Sequence, residues 1–212
     1  IQKDEQLRGL VVSSTNEKFF SIGFDIPNLF PLPRQEFEAF FAAFNQLSIK
    51  LYSFPKATIA AMRGHAIAGG CILALCCDYR TMAAGRTLMG LNEIKLGAPV
   101  PYPVDCILRD LIGSRKARQV MEFGEFFGPE VSLQFGMVDQ ISPPEKVLTA
   151  SIEKLSQITK NPSKAYTIIK QNRVQPVEAQ ILSRLEQVRA DFADCWYSEE
   201  TRELLKAAIE KF

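Results

Sequence analysis

Three short stretches of the chain hold residues whose types and spacing could do chemistry. Residues 66–80 read AIAGGCILALCCDYR. Gly69 and Gly70 head an apolar run too long for an ordinary strand, and residues 69–77 contain no acid, base or hydroxyl nucleophile. A glycine pair leading from a loop into a helix leaves backbone N–H groups uncovered by side chains. The first N–H groups of a helix have no internal partner, and the helix dipole adds partial positive charge there. Such a site suits an anion or a developing oxyanion. Close packing of a helix on a neighbouring strand would call for the same glycines. Residues 19–25, FFSIGFD, place Gly23 in a second loop of similar character, where an ordinary turn is the alternative. The third stretch is LNEIKL, residues 91–96, with Glu93 among apolar neighbours. Burial against Leu91, Ile94, Leu96 and Ile72 would push its carboxyl above the usual ~4.3. That would make a base that is readily reprotonated. A solvated glutamate beside Lys95 is the simpler reading of the motif alone, since glutamate is rarely buried unpaired.

Other reactive residue types read as structural. His65 is the only histidine, and a packing role is expected for it. Cys71 has no nearby acid or second histidine to activate it, so it reads as a small buried hydrophobe. Asp78 is expected to cap or orient the end of its helix. Phe192 and Trp196 are expected to pack in a core or subunit interface rather than touch a ligand. With one histidine and no CxxC pair, no metal site is expected.

The elements that must position these residues alternate first and then turn helical. Residues 10–14 read as a buried strand, 15–25 as a loop, and 34–51 as an amphipathic helix with Phe37, Phe40, Phe41, Phe44, Leu47 and Leu51 on one face. Residues 57–62 and 79–83 read as strands around a buried helix at 69–77, and 88–96 as a strand with loop. Short helices follow at 104–112, 114–124 and 129–135, then a strand at 137–141. Residues 144–158 and 161–171 read as helices, the latter with Asn161 as cap and Pro162 at its first position. Residues 177–211 read as a charged pair of helices. The class is α/β with an α-helical C-terminal region.

The chain has 212 residues, 25 Lys and Arg against 24 Asp and Glu, and 47% hydrophobic residues. That fits one globular domain with a real core. A net charge of +1 selects neither nucleic acid nor membrane as a partner. No apolar run approaches the ~20 residues of a membrane span. Five cysteines, three of them in one apolar run, suit buried free thiols in a reducing compartment. A cytoplasmic location is expected, or the mitochondrial matrix if the source is eukaryotic, with no peroxisomal C-terminal signal. Residues 1–8 read as the end of a polar helix that runs straight into a strand. A domain seldom opens that way, so further N-terminal sequence is expected.

The order of these landmarks is specific where each alone is not. KFFSIGFD (18–25), PKATIAAMRGHAIAGGCILALCCDYR (55–80), GLNEIKLG (90–97) and FGMVDQISP (135–143) resemble the crotonase superfamily, the enoyl-CoA hydratase/isomerase family. The resemblance runs from about residue 10 to 182. It implies a spiral of β-β-α turns over residues 1–142, N-terminally incomplete, and a C-terminal helical region, residues 143–212, that builds a homotrimer or a dimer of trimers. It implies an acyl-CoA thioester as substrate and no separate cofactor, CoA being part of the substrate. It also implies that the N–H groups of Phe24 and Gly69 form an oxyanion hole. Ile22, Gly23, Asp25 and Ile26 of the first loop, with Ala68 and Ile72, are then expected ligand contacts.

The acid/base residues separate reactions within the family. Hydratases carry a glutamate three residues after the oxyanion glycine, and Ile72 stands there in this chain. The second family glutamate matches Glu93. One carboxylate opposite an aliphatic side chain suits proton transfer from C2 of a 3-enoyl-CoA to C4, the Δ3,Δ2-enoyl-CoA isomerase reaction. Dienoyl-CoA isomerases use an additional acid, and GAPVPYP (97–103) holds none before Asp105. Two alternatives stay open: an enoyl-CoA hydratase or other acyl-CoA enzyme of this fold, and a catalytically silent acyl-CoA-binding trimer.

Overall fold

The structure is a computed structural model that describes residue 4 and residues 6–210. Much of the stretch read as a helix end, residues 1–8, lies outside them. Strand β1 (Gly9–Ser13) leads to β2 (Phe19–Ser21), the one-turn helix α1 (Ile26–Leu29) and the long helix α2 (Arg34–Tyr52). The next turn is β3 (Ala57–Met62), β4 (His65–Ile67) and α3 (Gly69–Leu75). The third begins with β5 (Tyr79–Ala83) and β6 (Met89–Gly90). A 3₁₀ turn (Glu93–Leu96) and helices α4 (Tyr102–Ile112), α5 (Ser114–Phe123) and α6 (Pro129–Phe135) follow. Strand β7 (Gln140–Ser142) then precedes α7 (Val147–Thr159), α8 (Ser163–Trp196) and α9 (Glu199–Ile209).

The first strand of each turn joins one sheet and the second strand joins another. The larger sheet has the order β1-β3-β5-β7 and the smaller β2-β4-β6, all pairs parallel. Every residue of β3 is buried, as a parallel strand covered on both faces should be. This is the β-β-α spiral that the resemblance implies, with helices gathered at the C-terminal end.

Several boundaries differ from expectation. Strands β2 and β4 have three residues each, too few to show alternation within segments read as loop. The strand expected at 137–141 starts at Gln140, because the chain is still closing α6. Gly136 is left-handed (φ 84°), and the N–H groups of Met137 and Val138 donate to the Ser132 carbonyl. Asn161 ends α7 rather than opening α8: its backbone and side-chain N–H groups both donate to Ile158 O. Helix α8 then runs unbroken through Pro176, where a split was expected. A helix-interior proline loses one hydrogen bond, and burial of Val174, Val177 and Ile181 around it keeps the helix in place.

Asp78 does not cap its helix. Its carboxylate accepts from Thr58 N and Oγ1, Tyr166 OH and Arg173, and from Lys170 Nζ at 2.6 Å. Lys170 and Asp78 are 3% and 4% exposed, so this buried pair ties α8 to the start of β3 and β5. All five cysteines are unpaired. Among the described residues no helix is long and apolar enough to cross a membrane.

Candidate active site

Helix α3 begins at Gly69 because Ala68 turns the chain there. Ala68 has φ 47° and ψ −119° and is the one non-glycine with positive φ among the described residues. Such a conformation costs about 1–3 kcal/mol and persists only where its surroundings hold it. Here its N–H donates to Gly90 O and its carbonyl accepts from Ile72 N, each at 2.9 Å.

The β2–α1 loop lies directly on the head of α3. A Cβ on Gly23 (φ 96°) would stand 2.9 Å from the Gly69 nitrogen, and one on Gly69 would stand 3.1 Å from the Gly23 Cα. A Cβ on Gly70 would fall 2.0 Å from Ser21 O. The glycine pair therefore serves close packing and an open helix N-terminus together, the two readings left by the sequence. Phe24, next along, is clamped edge-on between Phe40 and Phe44, with ring centroids 5.0 and 4.7 Å away. Asp25 caps α1: its carboxylate accepts from Asn28 N and Nδ2.

Glu93 opens the 3₁₀ turn, which closes on left-handed Gly97 (φ 75°). The turn is pinned by Ala98 N to Glu93 O and by Thr201 Oγ1 to Gly97 O. The Glu93 side chain is buried, and its Oε2 has no hydrogen-bond partner. Burial pushes its pKa up from 4.5 to about 7, opposed only by its own backbone N–H. Lys95 does not neutralise it, because Lys95 pairs with Glu125 at 2.7 Å.

These pieces meet around one cavity of about 490 Å³. Ile22, Phe24, Ile26, Ala68, Gly69, Ile72 and Glu93 all line it. Of the expected contacts, Gly23 supports the wall from behind through Gly69, and Asp25 is engaged as the α1 cap. Glu93 is the one carboxylate among the described residues on the wall.

The enoyl-CoA hydratase/isomerase family model matches residues 1–212. The chain belongs to the enoyl-CoA hydratase/isomerase family. It is 32% identical over 171 residues to human mitochondrial enoyl-CoA delta isomerase 1, covering 80% of this chain and 57% of the human protein. It thus spans little more than half the length of that relative. It is 26% identical to a short-chain-enoyl-CoA hydratase of Clostridium acetobutylicum, covering 100% of this chain and 80% of the hydratase. The crystal structure of human mitochondrial delta3-delta2-enoyl-CoA isomerase superposes with a TM-score of 0.94 at 27% identity, covering 99% of this chain and 82% of that one. The fold is the crotonase α/β fold of this family.

Within that family fold, the C-terminal helices contribute wall residues that sequence reasoning did not assign. Phe192 and Trp196 of α8 and Leu204, Ala207 and Ala208 of α9 line the cavity. Positions 204, 207 and 208 share a helix face, which is the one sequence signal that could have flagged them. Phe192 and Trp196 pack in a core with Phe37 and Phe41, as expected, but they also face the cavity, where the sequence reading had expected no ligand contact, because α8 packs beside it. His65 is structural: its Nδ1 accepts from Leu88 N at 3.0 Å. The Cys71 thiol is fully buried and its pKa is pushed well up by that burial, which leaves it unreactive. Among the described residues no three His, Cys, Asp or Glu side chains gather to hold a metal ion. The arrangement can therefore do one-carboxylate proton transfer beside a helix N-terminus in a mainly apolar cavity.

Proposed function

We propose that this chain is a Δ3,Δ2-enoyl-CoA isomerase acting through Glu93. The Phe24 and Gly69 N–H groups bind the thioester oxygen. Glu93 takes a proton from C2, the electrons move into a dienolate held by those two donors, and the C3=C4 double bond becomes C2=C3 as the same carboxyl returns the proton at C4. Donors of this kind are each worth ~10²–10³ in rate. The observation that carries the reading is the single buried carboxylate, with a free oxygen and a pKa of about 7, in a cavity that Ile72 also lines. A hydratase has to orient a water as well, and an isoleucine offers it no hydrogen bond.

The test is isomerisation of trans-3-hexenoyl-CoA beside hydration of crotonyl-CoA, for wild type and Glu93→Gln. Robust isomerisation, negligible hydration and a loss of orders of magnitude in the variant are expected. Hydration that depends on Glu93 and outruns isomerisation would assign the chain to the hydratases instead. Tight acyl-CoA binding with no turnover would make it a silent binding subunit. We further propose a homotrimer, which sedimentation would register as three protomer masses.

A further inference from the structure

Ile22 and Leu204 on the cavity wall are 43% and 38% exposed, whereas Phe192 and Trp196 on the same wall are 3% exposed. Phe192 and Trp196 belong to a layered aromatic stack. Trp196 stacks on Phe37 with centroids 4.4 Å apart and planes 16° apart, and Phe192 on Phe41 at 3.9 Å and 20°. Ile26 and Ala98 join the same cluster. The Trp196 Nε1–H is buried without a hydrogen-bond partner, so the indole is located by packing rather than by a hydrogen bond. Moving this ring aside for a longer ligand would break its stack on Phe37 and so unpack α8 from α2.

We propose that Trp196, with Phe192, is the end wall of the acyl pocket and sets the longest acyl chain the site accepts. This rests on the acyl-CoA reading above. Each methylene that enters the apolar cavity should gain about fourfold in affinity, equivalent to ~0.8 kcal/mol. The gain should stop at the length whose terminal carbon meets the indole. A methylene that the wall must reject should cost roughly tenfold or more.

Trp196 is the only tryptophan in the chain, so its fluorescence reports on this wall directly. Calorimetry with CoA and with saturated acyl-CoAs of increasing length would be run beside the emission spectrum of the indole. The expected result is a break in affinity at one chain length, with a shift in Trp196 emission first seen at that same length. Phe192→Leu, and independently Trp196→Leu read by calorimetry alone, should move the break to longer chains. Thermal melts would confirm that each is folded, and either variant suffices if the other is not. Binding of every ester with the indole emission unchanged throughout overturns the wall and leaves the acyl-CoA reading standing. The full emission shift with CoA alone does the same. No heat with CoA or any ester overturns both.

Discussion

Replacing Glu93 by glutamine should stabilise the protein at alkaline pH while it destroys activity. The carboxyl sits at about 7 in the folded protein against an ordinary 4.5, and burial is the cause. A pKa raised by folding means that the folded state holds the proton more tightly than the unfolded chain does. The associated stability is fully present below pH 4.5 and is lost as pH rises through 7. Moving from 4.5 to about 7 at 1.36 kcal/mol per pH unit gives about 3 kcal/mol. The substituted glutamine keeps the side-chain shape and does not titrate. The difference in unfolding free energy, variant minus wild type, should therefore grow by about 3 kcal/mol between pH 4.5 and 8, in favour of the variant. Urea unfolding of the pair at matched pH and one fixed protein concentration measures this, and other titrating groups cancel in the difference. A difference that stays flat with pH would show that Glu93 is solvated or paired. A difference that shrinks with pH would show a cation beside it, and either result removes the physical basis for the base role proposed for it.

Two further outcomes follow from other parts of the structure. If Glu93 must be ionised to accept the C2 proton, kcat/KM for trans-3-hexenoyl-CoA should rise with pH through a midpoint near 7 and fall about tenfold per unit well below it; a profile flat from pH 5.5 to 8 would refute this. Asp78→Asn should leave Lys170 buried without its counter-ion, costing about 3–5 kcal/mol in denaturant unfolding, while turnover per folded molecule stays near wild type because the pair lies outside the cavity.

How much of the site was legible in the sequence depends on what fixes each residue in place. Gly23, Gly69 and Glu93 are set by their own local chain: a left-handed turn, a helix start, a carboxylate among aliphatics. Alone, each stretch had a plainer reading, and the resemblance carried by the order of the motifs singled them out; the cavity gathers Gly69 and Glu93, with Gly23 behind its wall. The wall formed by α8 and α9 is different. It exists because Thr201 bonds to Gly97 O, Arg202 donates to Phe30 O and Tyr197 OH donates to Leu32 O. These bonds join segments far apart in sequence, and no periodicity reports them. Asp78 shows the same limit in the core. Its position at the end of an apolar run suggested a local cap, but its partners Tyr166, Lys170 and Arg173 lie on a helix that only the folded chain brings near. Pro176 marks the opposite case, where a strong local signal for a break is overruled by burial on either side of it. The candidate acid/base group of this chain thus sits in a short motif that a family resemblance can pick out, whereas the shape of the space in which a substrate would sit is written in tertiary packing. For that reason Glu93 could be named from the resemblance of its motif, while the residues proposed to limit the acyl chain could be named only from the fold.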